Sequence, residues 1–410
     1  MQNIKRSLGI ALWFIFLTFP FMVVRVNTLK DIVEWRWMNM LWVGIGAFVL
    51  SLIWRWAIER KERRGEQQKQ GEESADSDIP FAQRLIEDPK LFRPLVVGVG
   101  LFALVFPFLF NISQVNIMVL ALIFVVLGLG LNINVGLAGM LDLGYVAFFA
   151  FGAYTYGILN SQFGFGFWLS LPIGGLVGAL FGILLGFPIL CLRGDYLAIV
   201  TLGFATITHV VILNWEEVTG GAKGIANISR PGLFGIEMGI DGVTTYIYYL
   251  MIALVVFTIF ITNRLKDSRI GRAWMALRED EIACVAMGVD MARTKLSAYA
   301  FGAFWAGLVG VIFAARNTYL HPNSFTFMES AIVLSIVVLG GMGSILGVII
   351  AALVLILMPE YLRAFSDYRM LVFGAVMVLM MIFRPQGLIA NLRRRYEYQP
   401  SDASSEGGEA

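Results

Sequence analysis

The stretch Ser113-Gln-Val-Asn-Ile-Met-Val-Leu-Ala-Leu-Ile-Phe-Val-Val-Leu-Gly-Leu-Gly-Leu-Asn-Ile-Asn-Val-Gly-Leu137 decides the fold. From Ile117 to Leu131 it has no charged or hydrogen-bonding side chain. Its length exceeds the ~20 residues that a helix needs to cross a bilayer. Comparable apolar blocks run over 8–24, 37–57, 94–110, 143–160, 167–190, 196–214, 246–262, 296–314, 328–340, 344–359 and 370–383. Hydrophobic residues make up 58% of the 410-residue chain and charged ones 15%. A soluble domain carries roughly a quarter charged residues, so polar surface for a water-soluble globule is lacking. A soluble enzyme, a disordered chain and a disulfide scaffold are excluded. Cys191 and Cys284 are too far apart in sequence for a CxxC site, and a net charge of +2 does not point to nucleic acid. The expected fold is all-α: a polytopic transmembrane helical bundle of about ten to twelve segments, some short or broken.

Cytoplasmic connections are enriched in Lys and Arg, and this orients the bundle. Residues 263–295 hold Arg264, Lys266, Arg269, Arg272, Arg278, Arg293 and Lys295, whereas 215–245 hold only Lys223 and Arg230. The stretch 58–93 and the run Arg393-Arg394-Arg395 are also basic. All fall on one side if each block crosses once, which places both termini in the cytoplasm; Arg25, Lys30 and Arg36 fall on the wrong side. A single helix over 328–359 would put the basic tail outside, so a break is expected at Gly340-Gly341-Met342-Gly343. The first block follows Lys5 and Arg6 like a secretory signal, but the bulky Thr18-Phe19-Pro20-Phe21 is no cleavage site, and a retained helix is expected. The chain therefore divides into an extra N-terminal pair of spans (1–57), a hydrophilic linker (58–93), a main transmembrane domain (94–392) and a disordered cytoplasmic tail (393–410).

Gly174, Gly178, Gly182 and Gly186 recur every fourth residue, and Gly302, Ala306 and Gly310 repeat the pattern. Small residues at this spacing leave a strip of bare backbone against which another helix packs closely. Polar groups within or beside the blocks are few, among them Asn132, Asn134, Asp142, Tyr145, Thr206, Thr208 and His209. Asn132, Asn134, Thr206 and His209 are candidates for a translocation path. Interhelical hydrogen bonding is the plainer reading for His209, as helix packing is for the glycines. Asp142 lies in a Gly-rich break and is expected near the membrane surface, as a cap or interfacial group, with the lining of a path as the alternative. Ion-coupled transporters keep several charged residues at mid-membrane; this chain keeps almost none, so energy must arrive from elsewhere. Thr219-Gly-Gly-Ala-Lys-Gly224 lacks the spacing of a phosphate loop. No catalytic constellation, cofactor site or metal site is legible.

The loop Gly271-Arg-Ala-Trp-Met-Ala-Leu-Arg-Glu-Asp-Glu-Ile-Ala-Cys-Val-Ala-Met-Gly288 is helix-prone yet too polar to cross a bilayer. Asp280 is placed to cap a short helix that Gly288 ends. A solvated surface helix satisfies this pattern, and so does a docking knob carried rigidly between two membrane helices.

That loop resembles the coupling segment of ATP-binding-cassette import permeases, in particular the branched-chain amino acid permeases of the leucine/isoleucine/valine system. Five further stretches resemble that family in order: Gly128–Gly139, Leu192–Gly203, Thr219–Gly224, Val338–Ser344 and Phe383–Leu388. The N-terminal extension resembles the longer, M-type subunit. Within the loop, the resemblance implies an ATPase-coupling role for Gly271, Arg272, Ala273, Ala276, Arg278, Glu279, Asp280, Glu281, Ala283 and Gly288. The loop reads Ala-Leu-Arg-Glu-Asp-Glu where the general pattern has Glu-Ala-Ala. The family often has Ser and His where this chain has Asp142 and Tyr145, so no substrate role passes to those two. The resemblance implies a second homologous permease, two cytoplasmic ATPase subunits, a periplasmic amino-acid-binding protein, the bilayer of a bacterial inner membrane, and no nucleic acid. It also implies transport by alternating access, with ATP hydrolysis on other chains. An importer of urea, short amides or other amino acids built on the same family stays open. So do an ion-coupled secondary amino-acid transporter and a structural or assembly protein of the membrane.

Overall fold

A computed structural model describes residues 24–27, 32–35, 89–190, 192, 194–232, 239–361, 374, 378 and 387–389. Nearly all of the expected spans 8–24 and 37–57, most of the linker, most of the block 370–383, Cys191 and the tail 393–410 lie outside the described residues.

The N-terminal unit, residues 1–84, contains a hairpin of β1 (Val24–Asn27) and β2 (Ile32–Trp35). The strands are antiparallel, with Val24 opposite Trp35 and Asn27 opposite Ile32. The pair is a local exception in a chain whose described residues are otherwise nearly all helical: Val24, Val26, Ile32, Val33 and Trp35 favour a pleated chain.

The second unit, residues 85–410, is helical. Its helices are α1 (Pro89–Leu109), α2 (Ile112–Asn132), α3 (Tyr145–Phe163), α4 (Phe167–Ile189), α5 (Asp195–Asn214) and the single turn α6 (Glu216–Thr219). There follow α7 (Ile240–Lys266), α8 (Arg269–Glu279), α9 (Glu281–Ala286), α10 (Met291–Asn317), α11 (Phe327–Gly340) and α12 (Ile345–Tyr361). Among the described residues, six segments are long and apolar enough to cross a membrane: Ile112–Leu137, Phe167–Pro188, Tyr196–Asn214, Asp241–Lys266, Met291–Asn317 and Pro322–Gly340. Gly100–Leu109 and Ile345–Glu360 are shorter apolar helices. Hydrocarbon offers backbone groups no partner, so each of these segments closes its own hydrogen bonds as a helix.

Helix α10 is the core. Ala298, Tyr299, Ala303, Trp305, Ala306, Val309 and Ile312 are all buried along it. It packs most extensively on α4 and α3. The contact with α4 is antiparallel: Gly174 meets Val311, Gly178 meets Ala303 and Gly307, Gly182 meets Ala303 and Tyr299, and Gly186 meets Leu296. A Cβ on Gly178 would lie 2.5 Å from the Ala303 carbonyl oxygen, and one on Gly182 2.8 Å from that of Tyr299. On α3, Gly152 lies against the backbone of Gly307. Glycine is used here for helix approach, since lipid supplies no hydrophobic drive between helices and close packing must do so.

Two helices break. Past Asn132, α2 widens into a π turn (Ile133–Leu137), and the chain winds through 138–144 before α3 begins. The break between α11 and α12 falls at 341–344, where Gly341 and Gly343 have φ of 105° and 84°. Gly340 and Gly347 then lie backbone to backbone, as side chains would not permit.

Candidate functional site

Both breaks free backbone groups that the bundle must satisfy. Asn132 Oδ1 accepts from the Gly343 N–H at 2.8 Å, tying one break to the other. Asn134 Nδ2 donates to Asp142 Oδ2 at 3.2 Å, and the Gly144 N–H donates to Asp142 Oδ1 at 2.9 Å. The Leu143 N–H donates to Thr201 Oγ1 at 3.0 Å and the Val146 N–H to Ser330 Oγ at 3.1 Å. Tyr145 Oη donates to the Gly302 carbonyl at 2.9 Å. The Leu388 N–H closes the end of α11 by donating to the Leu339 carbonyl at 2.8 Å. The node is thus drawn from α2, α3, α5, α10, α11 and the chain near 388. Asp142 is fully buried among these elements. It does cap a turn, but inside the node. Thr201 and Ser330 escaped the sequence reading, since a lone hydroxyl in an apolar helix usually returns to its own backbone.

Against this node lies the polar loop, folded as two surface helices. The Ser268 Oγ caps α8 by accepting from the Gly271 N–H at 3.2 Å. Gly271, Trp274 and Leu277 form its buried stripe. Gly271 sits against the Leu265 carbonyl. Trp274 Nε1 donates to the Thr294 carbonyl at 3.1 Å and to Ser297 Oγ at 3.0 Å, fixing α8 to the start of α10. Arg278 Nη1 donates to the Gly136 carbonyl at 2.6 Å. Asp280 Oδ1 caps α9, accepting from the N–H groups of Ile282 at 2.7 Å and Ala283 at 3.0 Å. The segment leaves α9 through Gly288 at φ 81°.

The acidic run is divided: Glu279 and Asp280 are exposed and Glu281 is half-buried. Asp280 is a cap, and Glu281 Oε1 pairs at 2.8 Å with Lys295 Nζ, whose side chain is only 2% exposed. A buried ammonium needs such a partner. Arg272 Nη1 returns to the Asp267 carbonyl, Ala273 is half-buried, and Ala276, Glu279 and Ala283 are exposed. Beside the exposed Arg272, Glu279 and Asp280, the segment presents three apolar side chains outward: Ile282 at 70% exposure, Val285 at 51% and Met287 at 84%.

The four path candidates do not converge. Asn132 and Asn134 are fully buried in the node. Thr206 is exposed on α5, its hydroxyl donating to the Leu202 carbonyl at 3.0 Å. His209 is half-buried, with Nδ1 unpartnered among the described residues. The Thr219–Gly224 stretch is a turn: Thr219 Oγ1 donates to the Ile212 carbonyl at 2.7 Å, and Ile225 pairs with Leu320 as an isolated bridge.

Residues 113–381 match the family described as "Branched-chain amino acid transport system / permease component". The chain is 47% identical over 356 residues to the high-affinity branched-chain amino acid transport system permease protein LivM of Salmonella typhimurium, covering 79% of this chain and 84% of that one. Identity to the Escherichia coli LivM is 45% over 337 residues, covering 77% and 79%. The E. coli permease protein LivH is similar at 25% over 189 residues, 44% of this chain and 60% of that one. No solved structure matches.

Proposed function

The chain belongs to the branched-chain amino acid transport permease family, and we propose that it is the M-type subunit of an ATP-driven importer of leucine, isoleucine and valine. The observation that carries this reading is the 45–47% identity to two LivM proteins over about four fifths of the chain. A LivH-like permease is its expected second membrane subunit, since that protein belongs to the same kind of transport system by name. Two cytoplasmic ATPase subunits and a periplasmic binding protein complete the proposal, in a bacterial inner membrane with both termini cytoplasmic.

In this reading α8 and α9 are the ATPase-coupling element, on the side fixed by the Lys and Arg excess of 263–295. Ile282, Val285 and Met287 offer the apolar docking face. Trp274, Arg278 and Lys295 carry motion of that face into α10 and into the break of α2. Alternating access then consists of rocking the bundle between openings while the two breaks, built from irregular backbone, bend.

The test is leucine uptake in cells lacking their own high-affinity system. Uptake that requires this chain, a LivH-type partner, a binding protein and ATP is expected. Uptake that survives ATP depletion and collapses with an uncoupler would replace the reading with ion coupling.

A further inference from the structure

One cavity lies apart from both the node and the coupling element. It has a volume of about 500 Å³ and sits among α2, α3, α10, α11 and α12. Its walls are apolar, with Leu120, Phe149, Phe313 and Leu355 among them. Its polar groups are Glu329, on the first turn of α11, with Asn323 and Ser324 of the turn Pro322–Phe325. That turn adjoins the bridge between Ile225 and Leu320, whereas α8 and α9 adjoin the start of α10. The cavity therefore opens at the far end of α10 from the coupling element, the end the functional reading places outside.

The size is within the ~300–1,000 Å³ of small-molecule sites, which pair apolar walls with a few placed polar groups. The Glu329 carboxylate has no ion-pair or hydrogen-bond partner among the described residues. A carboxylate between apolar walls calls for a cation with donors to spare. An aliphatic α-amino acid supplies both halves of the complement: a branched hydrocarbon for the walls and an ammonium for the acid. The side-chain amide of Asn323 and the hydroxyl of Ser324 are donors for its carboxylate.

We propose that this cavity receives the aliphatic amino acid within the membrane subunit, with Glu329 binding its ammonium group. The proposal rests on the functional reading above and adds to it a substrate site on this chain.

The test uses the assembled transporter carrying Ile332→Cys, a cavity-lining position, with Cys191 and Cys284 replaced by Ser. Modification of the new thiol by a small methanethiosulfonate is timed with and without free leucine. The expected result is slowing on the order of tenfold at leucine well above its dissociation constant. N-acetyl-leucine, which lacks the ammonium, should give none. Glu329→Gln should remove the protection and Glu329→Asp should retain part of it, with assembly checked by co-purification of the partners. Absence of leucine protection, with leucine uptake by Glu329→Gln and Ile332→Trp complexes equal to wild type, would overturn the site and leave the importer reading intact. Protection by phospholipid alone would overturn it too, making the cavity a lipid crevice. A wild-type complex that imports no leucine at all would overturn the importer reading itself.

Discussion

The guanidinium of Arg278, on a surface helix, donates at 2.6 Å to the carbonyl oxygen of Gly136, inside the broken end of a membrane helix. The two residues are 142 positions apart in sequence. The oxygen is one that the π turn leaves over, and Gly139 packs on the Arg278 side chain. Surface segment and membrane break are thus joined by a charge-assisted bond, worth about 1.5–3 kcal/mol when made to a charged group.

Replacing Arg278 with Met should sever that joint while leaving α8 folded, because Trp274 and Leu277 hold its buried stripe. Leucine uptake should fall about tenfold, the effect of losing roughly 1.4 kcal/mol from a productive state. Arg278→Lys should recover little, since an ammonium lacks the planar fork. Co-purification of the ATPase should be unchanged.

Lys295→Met should leave Glu281 partly buried without its ammonium, at a cost of about 3–5 kcal/mol. The thermal transition of the detergent-solubilised complex should drop accordingly. Pairing it with Glu281→Met should restore much of the loss, because apolar groups of similar volume replace a buried ion pair well.

Asp280→Ala should be milder, since a lost helix cap costs about 1 kcal/mol. Ile282→Asp with Met287→Asp, in contrast, should abolish ATPase recovery in a pull-down without lowering membrane yield, as both side chains are exposed. Retention of the ATPase by that double variant would remove α9 from the docking face.

Gly178→Leu and Gly182→Leu should each reduce the yield of assembled protein. A side chain at either position meets α10 backbone, which cannot move aside. Gly203→Ala is the control: it has open space around it and should behave as wild type.

Much of this arrangement is legible in the sequence. Block lengths mark the helices, the glycine spacing marks a close face, and the parity of basic loops marks the break that the structure places at 341–344. What stays hidden follows from the solvent. A soluble helix declares its inner face by amphipathic period, but a membrane helix is apolar on every side. Nothing in its pattern therefore says that Thr206 points out while Asn134 is sealed in. Asp142 sits in a Gly-rich gap that gives no sign of the enclosure it finds, where Asn134 and Gly144 meet its carboxylate. Within the acidic triplet, nothing local announces that Glu281 pairs with the buried Lys295, fourteen positions on, while Glu279 and Asp280 stay exposed.

The row of glycines on α4 has a mechanical meaning beyond tightness. Its two ends abut Val311 and Leu296, branched side chains that close the strip like the ends of a keyway. A slide by one helical turn, about 5.4 Å, would drive bulky groups into bare backbone. The two helices are thereby fixed in register and travel as one beam, with Leu176, Leu180 and Leu184 on its outer edge. A tilt given to α10 at its Met291 end sweeps that edge through the same angle, turning a small displacement at the surface helices into motion along the flank of the bundle.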